Sequence, residues 1–253
     1  MRFGVCVGGD AGRIQIAKKY GFDYVESAFE VLAKDDPSER QTIVAELKKH
    51  GIGCEAVNCF LPGSLPVTGT SVNYDALRDY VGRGMENGEK LGVKTVVFGS
   101  GGARRIPEGF PFDRAIRQLA EFLSQIAGPL AADHGICIAV EPLCDSNVIN
   151  TVKEGAMLCA MAGHPNVRAL GDLYHMEAVH DKTENLLLLS GMMQHAHVAE
   201  PSKRVYPSPD DGYDYRPFLN ALETAGCPRC SVEAGTKDFE RDAALAIRAL
   251  RKE

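Results

Sequence analysis

The stretch Gln194-His195-Ala196-His197-Val198-Ala199-Glu200 is a short, mostly apolar run that carries ligand-capable side chains. Side chains of a strand alternate between its two faces, so His195 and His197 share one face if this run is a strand. Three other apolar runs end in carboxylates in the same way: Glu141, Asp172 and Glu233. Such side chains at successive strand ends indicate a site at one mouth of a barrel.

Short apolar runs alternate with helical patterns eight times along the chain. The expected strands lie near Phe3–Val7, Tyr24–Glu26, Gly53–Asn58, Thr95–Gly99, Ile136–Glu141, Ala169–Asp172, His195–Ala199 and Cys230–Glu233. The expected helices lie near Gly12–Tyr20, Pro37–His50, Asn73–Leu91, Asp113–His134, Val152–Ala162, Glu184–Met193, Asp214–Ala225 and Phe239–Arg251. The strands lack polar alternation, which is typical of a parallel sheet covered on both faces. The 253 residues are close to the roughly 250 of this fold. We therefore predict an α/β chain in which residues 1–253 form a single (β/α)8 TIM barrel.

Glycines and short polar side chains mark the expected helix ends. Five helical patterns are followed by glycine, which tolerates the left-handed conformation of a helix stop: Gly21, Gly51, Gly92, Gly135 and Gly226. Four patterns are preceded by residues that favour the N-cap: Asp113, Thr151, Asp214 and Asp238.

The longest connections follow the third, fourth and seventh expected strands, at residues 59–72, 100–112 and 200–213. Loops at this end of a barrel carry function. Asn58 and Phe60 border the first connection, and we expect them to line the pocket, with packing at the mouth as the alternative for Phe60. Glu26 ends the second strand and faces either a substrate or the barrel's own loops.

Composition narrows the class of partner. The net charge of −6 and the pI near 5.7 argue against a nucleic-acid backbone, which attracts basic surfaces. No apolar run approaches the roughly 20 residues of a membrane span. The N-terminus enters a strand at once, so we expect no signal peptide and a cytoplasmic protein. The eight scattered Cys fit unpaired thiols in a reducing compartment.

The four strand-end residues suggest a chemistry. One His and three carboxylates make a hard, oxygen-rich site, so we predict one divalent ion, Mn2+ ahead of Mg2+ and Co2+. Four protein ligands leave two positions of a six-coordinate ion for adjacent oxygens of a hydroxy-ketone. That chelation would acidify the C–H bond between them, and a carboxylate could remove the proton.

Five motifs carry a family resemblance: Glu141-Pro142-Leu143, Asn150-Thr151-Val152, Gly171-Asp172-Leu173-Tyr174-His175-Met176, His195-Ala196-His197-Val198-Ala199-Glu200 and Ser231-Val232-Glu233-Ala234. The chain resembles the xylose isomerase-like barrel superfamily of sugar and sugar-phosphate isomerases and epimerases. It is most similar to the branch with D-tagatose 3-epimerase, D-psicose 3-epimerase and hydroxypyruvate isomerase. The motifs cover the C-terminal half densely and the N-terminal half only by pattern.

The resemblance implies a site and a reaction. Glu141, Asp172, His197 and Glu233 would bind the metal, and His175 would hold a substrate oxygen. Glu141 and Glu233 would remove and return a proton on opposite faces of a sugar carbon through a cis-enediolate. A small sugar or keto-sugar is the expected substrate, and relatives imply a homodimer or homotetramer.

Two positions depart from the epimerase pattern. The substrate-contacting Arg six residues after the metal His is replaced by Lys203, with Arg204 next. The loop after Glu141 is about two residues shorter, so either Asp145 or Asn147 takes the place of a second Glu. These departures keep a second function open, a metal-dependent lyase or dehydratase on an oxidised (keto) sugar or C-glycoside.

Two further functions fit the sequence less well. An apurinic-site endonuclease shares the barrel but needs a zinc cluster with many more histidines than the seven present here. A non-catalytic sugar-binding barrel would leave the strand-end acids idle.

Overall fold

Eight parallel strands close into a barrel in the order β1 to β8, and β8 pairs with β1. The computed structural model describes residues 1–251. The strands are β1 Arg2–Gly8, β2 Tyr24–Ala28, β3 Gly53–Asn58, β4 Thr95–Phe98, β5 Cys137–Val140, β6 Val167–Asp172, β7 Met193–Val198 and β8 Arg229–Val232. The predicted (β/α)8 barrel is confirmed.

Helices alternate with these strands. Within residues 1–251 they are α1 Gly12–Lys19, α2 Phe29–Ala33, α3 Ser38–His50, α4 Tyr74–Leu91, α5 Phe112–Phe122, α6 Gly128–Asp133, α7 Val152–Ala162, α8 Leu173–Ala178, α9 Arg216–Thr224 and α10 Phe239–Arg251. A π-helical segment, Leu123–Ala127, joins α5 to α6, and a 3-10 helix, Thr183–Leu189, precedes β7. None of these helices is long and apolar enough to cross a membrane.

Two helical predictions need correction. The helix expected over Asp113–His134 is interrupted by the π segment just before Pro129, whose ring removes an N–H from the helical ladder. The helix expected over Glu184–Met193 is the shorter 3-10 helix, because Gly191 turns the chain at a φ of 83° and Met193 already begins β7. The short helices α2 and α8 were not predicted.

Thr151 and the five stop glycines were predicted correctly at the helix ends. Thr151 and Glu154 form a complete capping box on α7, and the five predicted stop glycines all have positive φ. Asp113 was wrong as a cap, since it lies inside the first turn of α5 behind the N-cap Pro111. Asp214 was also wrong, because the N-cap of α9 is Tyr215.

The barrel interior is layered along its axis. Val97, Ala139 and Leu170 form a small apolar cluster of their own, separate from the main core. Glu141 and Asp172 come two residues after Ala139 and Leu170, respectively, and therefore lie on the same face. The main core fills the shell between strands and helices, where large side chains of both are fully buried. The apolar layer thus supports an ionisable layer at the C-terminal mouth.

Candidate metal centre

Four side chains from β5 to β8 converge at the C-terminal mouth. Glu141 and Glu233 each follow the last residue of their strand, Asp172 ends β6, and His197 lies one residue before the end of β7. One ligand atom from each lies within 4.8 Å of the others. The sequence-predicted metal set therefore comes together in space. Glu141, Asp172 and His197 are buried, whereas the Glu233 side chain keeps 21% of its surface exposed.

The imidazole of His197 is the centre of this cluster. Its Nδ1 lies 3.0 Å from Glu141 Oε1, 3.6 Å from Glu233 Oε2 and 3.8 Å from Asp172 Oδ2. The other ring nitrogen, Nε2, lies 2.9 Å from Glu26 Oε1 and donates to that carboxylate. A carboxylate partner on one nitrogen fixes the tautomer and aims the other nitrogen at a metal. His197 Nδ1 is therefore directed at the space between the three acids.

Glu26 is the buried carboxylate that organises both histidines of the H-x-H motif. His195 Nε2 donates to its second oxygen at 2.8 Å. Ser231 Oγ lies 3.4 Å from the same His195 nitrogen and 2.9 Å from the Tyr24 hydroxyl. Glu26 was expected to face a substrate or the barrel's own loops, but its two carboxylate oxygens contact histidine side chains of β7 instead. This polar chain links β2, β7 and β8 beneath the mouth.

The two glutamates of the cluster have different electrostatic surroundings. Burial alone would raise the pKa of Glu141, but the hydrogen bond and charge of His197, helped by His175 and Arg104, lower it below its ordinary value. Burial, together with the charges of Glu141 and Asp172, raises the pKa of Glu233 to about 7. Carboxyl groups whose pKa values are pushed apart are a common feature of acid–base sites.

The donor set fits a divalent cation. Burial raises the pKa of Asp172, with Glu141 adding to the effect, since buried carboxylates at this separation repel. The pKa of His197 is raised well above its usual range, because the charges of Glu26 and Glu233 outweigh the effect of burial. The cluster thus draws positive charge to its centre, and its oxygens with one imidazole match the ligand preference of Mn2+ or Mg2+.

Gly99 makes room for one of the carboxylates. It follows the last residue of β4, and a Cβ placed there would overlap the Glu141 side chain at Oε2. The adjacent Phe98 carbonyl accepts from the Glu141 N–H at 3.2 Å and from the buried Arg104 guanidinium at 3.1 Å. The backbone at the end of β4 therefore sets where the Glu141 carboxylate can lie.

Glu233 is held by a side chain at the end of β3 and by one on the loop after β7. Asn58 Nδ2 donates to its Oε1 at 2.8 Å, and Arg204 Nη2 donates to its Oε2 at 2.9 Å. The Arg204 guanidinium also lies 4.9 Å from the centre of the Tyr174 ring. Of the two basic residues predicted to contact substrate, Arg204 lies at the mouth. Lys203 is exposed and lines a cavity of about 620 Å3 between the loops after β7 and β8.

A strained turn explains why Arg204 reaches the mouth. Its φ is 51°, a conformation that side chains other than glycine rarely adopt. The turn is fixed by Glu200, whose carboxylate accepts from the backbone N–H groups of Ser202 and Lys203, and by Gly235, whose N–H donates to the Arg204 carbonyl. The guanidinium is therefore at the mouth although the residue is one position later than the family pattern.

His175 is oriented by the loop after β5. Its backbone N–H donates to Asp172 Oδ1 at 3.1 Å, and its ring Nδ1 accepts from the Cys144 N–H at 3.1 Å. An accepting Nδ1 leaves the proton of a neutral ring on Nε2. This Nε2 is buried and has no hydrogen-bond partner within residues 1–251. His175 thus offers an unsatisfied donor beside the cluster.

The remaining predicted residues lie further out. Asp145 is exposed, and it forms a donor group with Cys144 and His175. Asn147 ties two loops together, since its amide both donates to and accepts from the backbone of Ile106. Phe60 is fully buried against aromatic rings of the main core: Phe29, Phe98 and Phe122. Phe60 thus packs in the main core, and its expected contact with substrate stays a prediction.

Sequence reasoning missed Cys6. It lies on β1, and its Sγ is within 4.8 Å of ligand atoms of His197 and Glu233. The rule that found the four predicted residues would have pointed to it, because Cys6 is also near a strand's C-terminal end. Cys6 was interpreted only as one of eight scattered, unpaired thiols.

Comparison with known proteins finds a sugar epimerase among the relatives of this chain. The D-psicose 3-epimerase of Agrobacterium fabrum (strain C58 / ATCC 33970) is 25% identical over 201 residues, which cover 76% of this chain and 68% of that protein. The chain is thus related to sugar epimerases. The apo form of 3-keto-D-glucoside 4-epimerase from E. coli superposes with a TM-score of 0.83 at 18% identity, with 100% of both chains covered.

A further solved structure, described as an AP endonuclease, family 2, from Brucella melitensis, has a TM-score of 0.80 at 24% identity and covers 99% of each chain. At such identities the two solved structures show a shared fold alone. A family model described as xylose isomerase-like TIM barrel matches residues 14–253. The chain therefore belongs to the xylose isomerase-like TIM barrel family.

Proposed function

We propose that this chain is a divalent-metal-dependent sugar isomerase or epimerase in which Glu141 and Glu233 are the paired acid and base. The observation that carries the proposal is the convergence of three carboxylates and His197 Nδ1 within 4.8 Å at the C-terminal mouth. The relationship to D-psicose 3-epimerase supports a sugar substrate. The cluster itself supports the metal, Mn2+ ahead of Mg2+ and Co2+.

Glu141, Asp172, His197 and Glu233 would hold the ion. When bound, the ion supplies Lewis-acid polarisation of adjacent carbonyl and hydroxyl oxygens, which acidifies the C–H bond beside the carbonyl. The protein's own contribution is to aim the ligands: Glu26 orients His197, and Gly99 leaves space for Glu141. Ligands fixed in this way need little reorganisation when the substrate binds.

The two glutamates of the cluster would carry out the proton transfer. Glu141, with its lowered pKa, is suited to accept the proton from the substrate carbon. The electron pair of the broken C–H bond then forms the cis-enediolate. Glu233 would return a proton to the opposite face of that carbon. This inverts the carbon and leaves the proton on Glu141 and none on Glu233, so exchange with solvent must restore both groups before the next turnover. The two roles exchange in the reverse direction.

Three further side chains would position the substrate and the base. His175 Nε2–H is an unsatisfied buried donor that can bind a substrate oxygen. Arg204 and Asn58 each donate to a different oxygen of Glu233, and so they direct its remaining lone pairs toward the substrate. Arg204, on its strained turn, also presents a planar fork of donors to substrate hydroxyl groups.

The test is proton exchange followed by NMR. Metal-loaded protein in D2O is incubated with ketoses, their phosphates, hydroxypyruvate, and 3-keto sugars with and without a leaving group. The proposal predicts deuterium next to a carbonyl together with a new epimer or isomer. Loss of a substituent would instead assign the chain to the lyases, the second function its sequence allows. Absence of exchange across the panel, with metal bound, would contradict the proposal.

A further inference from the structure

A thiol lies against the proposed metal centre. Cys6 is on β1 two residues after Gly4, on the same face of the strand. A Cβ at Gly4 would meet the Tyr24 ring and Ser231 Oγ, both part of the polar chain beneath the mouth. Cys6 therefore projects into the barrel above that chain.

The donors around Cys6 form a set of their own. Its Sγ, one ligand atom of His197 and one of Glu233 all lie within 4.8 Å of one another. Asn58 bridges two of them, since its Nδ2 lies 3.6 Å from Cys6 Sγ and 2.8 Å from Glu233 Oε1. The hard set of four ligands and this thiol-containing set thus share His197 and Glu233.

We propose that Cys6, His197 and Glu233 form a second, softer donor set that binds thiophilic divalent ions, such as Zn2+, Co2+ or Cd2+, through the Cys6 thiolate. The metal–sulfur bond forms as the S–H bond breaks, and the proton leaves to solvent. The inference rests on the proposed function in that it takes the four-ligand set as the normal metal centre.

Ligand chemistry separates the two sets. Thiolate and imidazole are the ligands that Zn2+ prefers, whereas Mn2+ and Mg2+ prefer carboxylate oxygens. Hard ions gain little from Cys6, because it lies beside the four-ligand set but offers only a sulfur atom. A thiophilic ion offsets the cost of removing the proton by forming a strong bond to sulfur. Because both sets use His197 and Glu233, Zn2+ should compete with Mn2+ for the protein.

The experiment compares Co2+-loaded wild-type protein with the variants Cys6→Ser and Cys59→Ser by absorption spectroscopy. Cys59 is a matched control, because it is an unpaired cysteine on the loop after β3. Within residues 1–251 it belongs to none of the clusters of side chains that could share a metal ion. A thiolate-to-Co2+ charge-transfer band in the near ultraviolet is expected in wild type and Cys59→Ser and absent from Cys6→Ser. Zn2+ affinity of Cys6→Ser should fall at least about 10-fold, while its Mn2+ affinity stays unchanged.

A second measurement does not depend on any variant folding. X-ray absorption at the zinc edge of the wild-type protein should show a sulfur neighbour at about 2.3 Å. Only oxygen and nitrogen neighbours, or the same Co2+ spectrum in wild type and Cys6→Ser, would overturn the inference. Failure of wild-type protein to bind Mn2+ would instead count against the proposed function, because the sulfur signals are independent of Mn2+.

Discussion

Two layers of the barrel interior are built on the same three strands, two residues apart, and have opposite chemistry. The lower layer is Val97, Ala139 and Leu170, which pack together as an apolar cluster. The upper layer is Gly99, Glu141 and Asp172, in which a missing side chain makes room for a carboxylate. One layer gains stability by filling space, whereas the other concentrates charge that a well-packed core would exclude.

The ionisable side chains lie at the C-terminal ends of these strands, just beyond the apolar layer. Residues two apart on a strand point to the same face. The apolar side chains of the lower layer and the carboxylates of the upper layer therefore both face the barrel interior. The lower layer holds the strands in register, and the upper layer uses that register to bring β5 to β8 side chains together. Substitutions in the two layers should therefore have separable effects, on folding below and on metal binding and turnover above.

The largest expected effect is loss of turnover in the upper layer. Glu141→Gln and Glu233→Gln should each lower kcat at least about 1,000-fold, because each removes a proton-transfer group that is also a proposed ligand. Both variants should remain folded in circular dichroism. Glu108→Gln, an exposed change on the loop after β4, is the control and should keep full activity. Near-native turnover in either active-site variant would contradict the two-carboxylate mechanism.

The lower layer should respond in the opposite way. Leu170 is fully buried, so Leu170→Ala should lower the free energy of unfolding by about 2–5 kcal/mol through lost burial and a cavity. Mn2+ affinity of the folded variant should stay unchanged. The matched upper-layer change on the same strand is Asp172→Asn, which should weaken Mn2+ binding and leave stability nearly unaffected. Urea unfolding measures the free energy of unfolding, and titration measures the Mn2+ affinity. If each variant changed both quantities to the same extent, the two layers would not have separate roles.

Gly99 tests whether the upper layer depends on space. Gly99→Ala places a methyl group where the Glu141 carboxylate lies, so that carboxylate must move. Mn2+ affinity should fall about 10- to 100-fold, the range seen when the support of a ligand is disturbed. The control is Gly101→Ala on the same loop, where a Cβ meets only the Leu143 side chain, at 3.2 Å. Unchanged affinity in Gly99→Ala would show that Glu141 is not fixed by this contact.

The smallest expected effect is on stability as a function of pH. Burial and neighbouring carboxylates raise the folded-state pKa of Glu233 from 4.5 to about 7. A raised pKa contributes stability that is present below pH 4.5 and is lost as pH rises through about 7. With a chelator present, Glu233→Gln should lack this loss and melt about 2–6 °C above wild type near pH 8. A melting difference of the same size near pH 5 would contradict this cause.

Local signals explain what the sequence could predict. Short apolar runs without polar alternation, their length and the helix-stop glycines are encoded within a few residues. The eight strands and the convergence of Glu141, Asp172, His197 and Glu233 could therefore be inferred. The helices α2 and α8, of five and six residues, are too short to show a helical period. Asp113 and Asp214 were wrong as caps because nearby prolines and turns shifted the helix starts.

Long-range register explains what could not be predicted. Glu26 and His197 are 171 residues apart, and only closure of the barrel brings β2 and β7 side chains together across its interior. Whether Lys203 or Arg204 reaches Glu233 depends on one residue with a φ of 51°. The residue types at 203 and 204 do not reveal which side chain contacts Glu233, because the turn is held by contacts from Glu200 and Gly235.

The most direct test of the account is a crystal structure grown with Mn2+, with an anomalous difference map recorded to locate the ion. The account predicts one peak at the C-terminal mouth, bound by Glu141, Asp172, Glu233 and the Nδ1 of His197, with Nε2 still donating to Glu26. A peak at another place, or no peak at saturating Mn2+, would contradict the claim that these four strand ends form one metal centre.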